Sequence, residues 1–236
     1  MKNTEEQQIS EVVKVISQGR NRTNILRNSE QNTIAYFVKR IPNWISSDML
    51  TGIGFLGNIL VFMSFVLAAY FSPNFLLMGV IGFMISWFGD SLDGRMAYYR
   101  NIPRKWYGFT LDVITDWIGI VLICFGFIIY AKGVWEIIGF AFVVLYGWEM
   151  ITTMIRYKVN NQYSIDSGLL GPTEVRIVIS SILVLETLVN GSILYSGSIA
   201  CILLFASNII DTIKLLKLAD IQDKIELEKK KQESHA

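Results

Sequence analysis

Six apolar runs constrain this chain more than any other feature. They lie at about 52–71, 74–93, 107–131, 134–154, 175–189 and 193–215. A helix needs roughly 20 apolar residues to cross a bilayer. Five runs meet that length, and the one at 175–189 is the weakest, being short and carrying Glu186. The expectation is an all-α polytopic membrane protein with six transmembrane helices and an N-terminal interfacial amphipathic helix. Composition agrees, with 52% hydrophobic and 17% charged residues, against about 25% charged in a soluble domain. Disorder is excluded on the same ground. A net charge of +1 offers no basic field for nucleic acid.

The positive residues give an independent check. Of the 21 Lys and Arg, 20 fall before the first run, between runs two and three, around the loop between runs four and five, or from Lys214 at the end of run six onward. Lys132 alone sits on the other side. This alternation supports six spans, with both termini and the loop between runs two and three on the cytoplasmic side. The chain divides into an N-terminal cytoplasmic and interfacial segment (1–45), a membrane domain (46–217) and a charged tail (218–236). The tail reads as a solvated helix end, and the first residues contain no secretory signal. Ile34, Phe37, Val38 and Ile41 are spaced as one apolar face of a short helix that Pro42 stops. Such a helix suits the membrane interface; a cap packed on the bundle is the alternative. Cys124 and Cys201 lie in apolar runs and read as packing residues. His235 lies in the tail, away from any candidate chemistry.

Ionisable residues inside spans are expensive and therefore candidates for function. Asp90 and Asp93 close run two at i, i+3, and Asp112 and Asp116 open run three at i, i+4. On helices each pair shares a face. The connecting loop is short, so the two helix ends should be antiparallel neighbours and the four carboxylates should converge. Without a counter-charge they would repel one another. Oxygen ligands of this kind suit Mg²⁺ or Mn²⁺, and four carboxylates can hold two ions about 4 Å apart around a diphosphate.

The stretch Asp90-Ser-Leu-Asp93-Gly94-Arg95-Met96-Ala97-Tyr98, followed by Gly108-Phe-Thr-Leu-Asp112-Val-Ile-Thr-Asp116, resembles the signature of the CDP-alcohol phosphatidyltransferase family, D-x-x-D-G-x-x-A-R, a spacer, then G-x-x-x-D-x-x-x-D. The segment Pro42-Asn-Trp44-Ile-Ser-Ser-Asp48-Met-Leu-Thr51-Gly-Ile-Gly54 is similar to the family's segment before the first span. The resemblance implies transfer of a substituted phosphate from a CDP-alcohol to an acceptor hydroxyl, with release of CMP. It implies two metal ions on Asp90, Asp93, Asp112 and Asp116, with Asp116 also the general base. Asp48, Thr51, Gly94, Ala97, Tyr98, Arg100 and Gly108 would border the nucleotide donor, and Arg104, Lys105 and Glu174 an acceptor or phosphate. Membrane lipids are expected partners, and the family's tendency implies a homodimer.

Three positions depart from the pattern. Tyr98 stands where the family has Arg, with Arg100 nearby. The spacer before Gly108 has nine residues rather than eight, similar to a bacterial subset with an Arg-x-x-Tyr-Gly ending. Val113 stands where some choline and ethanolamine members have His. Gly171-Pro-Thr173-Glu174-Val-Arg176 is similar to a V-T-E-V-Q segment of eukaryotic choline and ethanolamine enzymes; Thr173 and Glu174 also fit plain helix capping. Either the donor or the acceptor could be the lipid: CDP-diacylglycerol with a polar alcohol, or CDP-choline or CDP-ethanolamine with diacylglycerol. Glu149 would line the cavity or pair with Arg156, and Glu186 would make a helix–helix hydrogen bond. Two rivals are an intramembrane prenyltransferase, whose acidic motifs usually lie far apart, and a non-catalytic membrane binding or carrier protein.

Overall fold

The structure, a computed structural model, describes residues 12–13, 26–160 and 172–233. Gly171, His235 and most of the 1–45 segment lie outside these residues. Seven α-helices organise the described chain: α1 (Arg27–Val38), α2 (Ser47–Tyr70), α3 (Leu76–Tyr99), α4 (Lys105–Ala131), α5 (Glu136–Asn160), α6 (Pro172–Leu188) and α7 (Ser192–Glu233). No strand occurs among the described residues.

Local chemistry sets the helix ends. Ser46 caps α2, its Oγ accepting the Met49 N–H at 3.1 Å. At the end of α3, Asn101 adopts a positive φ of 56°, which Asn tolerates better than most residues. Its N–H donates to the Tyr98 carbonyl and that of Ile102 to the Ala97 carbonyl, the paired bonds of a Schellman stop. Pro103 follows and keeps the helix from continuing. The helices outlast the apolar runs: α3 continues to Tyr99 and α7 to Glu233. Backbone hydrogen bonding does not end where hydropathy does.

Among the described residues, five helical stretches are long and apolar enough to cross a membrane: Ser47–Tyr70, Pro73–Tyr99, Lys105–Ala131, Gly133–Val159 and Ser192–Glu233. Their outward side chains, such as Leu56, Ile81 and Ile202, are exposed apolar surface suited to lipid. This is an integral membrane protein. The expected count of six spans is not confirmed. The run at 175–189 becomes α6, a helix of 17 residues, about 25 Å long at ~1.5 Å per residue, which falls short of a ~30 Å hydrocarbon core.

The packing order differs from the chain order. α2 lies between α3 and α4; α5 packs on α4, α7 on α5, and α6 bridges α7 and α3. The sequence expectation that the helices flanking the 100–104 loop would be direct neighbours is therefore corrected. α3 and α4 meet chiefly through α2. The reason is small residues. A Cβ at Gly82 would stand 2.8 Å from the Gly57 carbonyl oxygen, and one at Gly57 or Gly89 would overlap backbone of the facing helix. Where burying apolar surface gives little drive in lipid, such close approach is what holds helices together. α2 and α3 consequently form the tightest pair.

The α1 stripe was expected at the membrane interface. In the structure it caps the bundle. Ile34 is 0% and Val38 2% exposed, packed with Leu50, Leu92 and Met96. Phe37 meets Phe88 edge to face at 5.3 Å. Apolar residues of α2 and α3 offer that stripe a partner, so protein rather than lipid covers it. Cys124 and Cys201 are buried and free, as packing residues should be.

Candidate metal centre

The close α2–α3 crossing brings the start of α2 against the end of α3. Thr51 Oγ1 donates to Asp93 Oδ2 at 2.7 Å, and Ser47 Oγ to the Asp93 carbonyl at 2.7 Å. The Gly94 N–H donates to Asp93 Oδ1. Asp93, 7% exposed, is thereby held from three sides at the wall of a cavity. Asp90 lies one turn back on α3. From α4, Asp112 and Asp116 enter the same cavity. One carboxylate oxygen each of Asp90, Asp112 and Asp116 lie within 4.8 Å of one another. Asp93 lines the cavity but stands outside that triad.

Among the described residues, a cation of α6 faces this cluster. Arg176 of α6 reaches Asp90 Oδ2 at 2.7 Å, with the guanidinium side chain 18% exposed. In the sequence Arg176 reads as one of the positive residues that set topology. Its signal was present all the same, since a charge in the first turns of a membrane helix calls for a named partner. The partner is set by the α3–α6 contact, which no local pattern announces. The neighbouring side chains fasten α6: Trp87 Nε1–H donates to Thr173 Oγ1 at 3.1 Å, and the Leu26 N–H to Glu174 Oε1 at 2.8 Å. Glu174, 6% exposed, thus binds the start of α1.

The other nominated residues divide into groups. Arg100 turns to backbone, its Nη1 donating to the Ile45 carbonyl at 2.6 Å and Nη2 to that of Pro42 at 3.0 Å. Arg104 pairs with Asp48 at the surface and lies over the Tyr107 ring at 4.2 Å; Lys105 lies over Trp106 at 5.4 Å. Gly94, Ala97 and Tyr98 are half-buried on α3. Gly108 is exposed, and a Cβ there would meet nothing within 4 Å. Glu149 lies off the cavity, and Arg156 pairs with Asp211 of α7 at 3.7 Å. Glu186 bonds across helices as expected, accepting the Tyr130 hydroxyl at 2.7 Å.

The donor set is all carboxylate oxygen, gathered around one cavity, with Arg176 beside Asp90. That chemistry fits a hard divalent cation. A family model for CDP-alcohol phosphatidyltransferase matches residues 44–212. The chain belongs to this family. A search of curated proteins returned no match. The CDP-alcohol phosphatidyltransferases transfer a phosphate group from a CDP-alcohol to an acceptor in lipid synthesis and generally depend on a divalent metal. The match begins just before α2 and ends within α7. It therefore contains every aspartate of the cluster and Arg176, and leaves α1 outside.

Proposed function

We infer that the chain is a metal-dependent CDP-alcohol phosphotransferase with its site at the cytoplasmic end of the bundle. The convergence of Asp90, Asp112 and Asp116 within 4.8 Å, inside a family match, carries this reading. The lopsided distribution of Lys and Arg supports the sidedness.

Asp90, Asp93, Asp112 and Asp116 would hold two ions, Mg²⁺ or Mn²⁺. Bound ions would neutralise the donor's diphosphate. Asp116 takes the proton of the acceptor hydroxyl. The acceptor oxygen forms a bond to the β-phosphorus, the bond from that phosphorus to the bridging oxygen breaks, and CMP leaves with the bridging oxygen. The product is a phosphodiester. Thr51 and the Gly94 N–H keep the Asp93 carboxylate aimed. Asp48, Ala97, Tyr98 and Gly108 border the space for the donor. Arg100 acts from behind, tying the 42–45 turn to the end of α3. Arg104 and Lys105, cations at the start of α4, would meet an anionic acceptor or the donor phosphates. A site at a membrane surface lets one substrate arrive from lipid and the other from water.

The test is CMP release by purified protein in lipid with Mg²⁺ or Mn²⁺. One arm supplies CDP-diacylglycerol with a panel of polar alcohols. The other supplies CDP-choline or CDP-ethanolamine with diacylglycerol. Metal-dependent CMP from one arm, lost in Asp116→Asn, supports the reading and identifies the lipid partner. No metal-dependent CMP from either arm overturns it.

A further inference from the structure

We propose that Arg176 couples metal loading to the arrival of the donor's diphosphate, so that the centre fills fully only when substrate is present. The inference rests on the metal reading above. Its starting point is the 2.7 Å contact between the Arg176 guanidinium and Asp90 Oδ2, with both side chains largely buried, at 18% and 25% exposed.

Asp90, Asp93, Asp112 and Asp116 together would balance two divalent ions. Arg176 adds a positive charge beside Asp90, so the doubly loaded site would carry an excess. In a partly buried site a like charge a few ångströms from a cation is poorly screened. The excess disfavours the second ion until an anion enters, and a diphosphate supplies the missing negative charge. Mg²⁺ in particular is usually held by a few carboxylates together with substrate phosphates. Without metal, the same guanidinium relieves the repulsion among the carboxylates.

Arg176 is built into place. Two residues before it, Glu174 accepts the Leu26 N–H at 2.8 Å, and Thr173 accepts from Trp87 at 3.1 Å. These bonds pin the first turn of α6 against α1 and α3. The guanidinium therefore has a fixed origin, unlike the surface cations Arg104 and Lys105.

Mn²⁺ binding to purified protein in lipid, read by electron paramagnetic resonance with and without CDP, tests the coupling. In the wild type, CDP should raise Mn²⁺ affinity about tenfold, within the usual range of coupling between two ligands. Arg176→Gln should bind Mn²⁺ about tenfold more tightly without CDP and gain only about threefold from it, the part that direct phosphate–metal contact supplies. Arg176→Lys, which keeps the charge, should retain most of the gain. Wild-type protein that binds Mn²⁺ equally with and without CDP overturns the proposal, and needs no variant to fold. Arg176→Gln that shows unchanged or weaker Mn²⁺ binding without CDP, while melting as the wild type does, also overturns it. Wild-type protein that binds no Mn²⁺ under either condition overturns the metal reading itself.

Discussion

The two ends of α6 carry buried charge in opposite ways. Glu186, near its C-terminus, is 2% exposed and fully served: it accepts the Tyr130 hydroxyl at 2.7 Å, the Gly191 and Ile193 N–H groups at 2.8 Å each, and the Ser192 hydroxyl at 3.1 Å. It closes the turn into α7 and ties that turn to α4. Near the N-terminus, about 15 Å away at ~1.5 Å per residue, Arg176 reaches one carboxylate of a crowded group. Buried polar groups normally find their partners. Glu186 follows that rule within its own surroundings, and its role is structural. In the aspartate cluster, by contrast, three carboxylates converge within 4.8 Å, with Arg176 on one of them. A group of that kind is kept for what it binds, at some expense in stability.

This contrast can be tested by removing charge at each place. Asp116→Asn should lower transfer by about a thousandfold or more, since it removes both a metal ligand and the base. CMP release checks this. Its melting temperature should stay level or rise, because one of several repelling carboxylates is gone. A fall of several degrees would mean that the cluster is structural.

Glu30→Gln addresses a third buried carboxylate, one with a dedicated cation. Glu30 meets Arg95 at 3.2 Å, with both side chains under 5% exposed. Removing one partner of a buried pair costs about 3 kcal/mol. The variant should unfold at clearly lower denaturant, with α1 loosened from α3. Glu186→Ala should cost about 2–3 kcal/mol, since it strips a shared acceptor from several donors. Transfer per folded molecule should not change. A fall in turnover without a fall in stability would place Glu186 in the wrong class. At the bottom of the scale, Lys224→Ala breaks the exposed pair with Asp220 at 2.7 Å and should shift stability by less than about 0.5 kcal/mol.

Much of the architecture was legible because it depends on local composition. Apolar runs of sufficient length become helices wherever they sit, and Asp112 and Asp116 share a face by helical spacing alone. The sequence reading failed where packing partners decide. The stripe of Ile34 and Val38 looks the same whether lipid or protein covers it. Glu174 fitted a cap or an active-site carboxylate by pattern, and in the structure it binds the Leu26 N–H at 2.8 Å. By pattern Arg100 is a candidate to border the donor, and Arg176 a positive residue beside a span. One ties down the carbonyls of Ile45 and Pro42, and the other enters the aspartate cluster.

By itself the sequence determined that this is a helical membrane protein, and its long aspartate signature already pointed to a CDP-alcohol phosphatidyltransferase. Both follow from short-range facts, hydropathy over about twenty residues and the order of residues in one motif. The tertiary structure decided that α2, rather than the short loop, joins α3 to α4, because glycines on α2 and α3 allow a close crossing. It also decided which cation stands at the carboxylates. Arg176 lies far along the chain from Asp90, and only the docking of α6 on α3 brings the two within hydrogen-bonding distance.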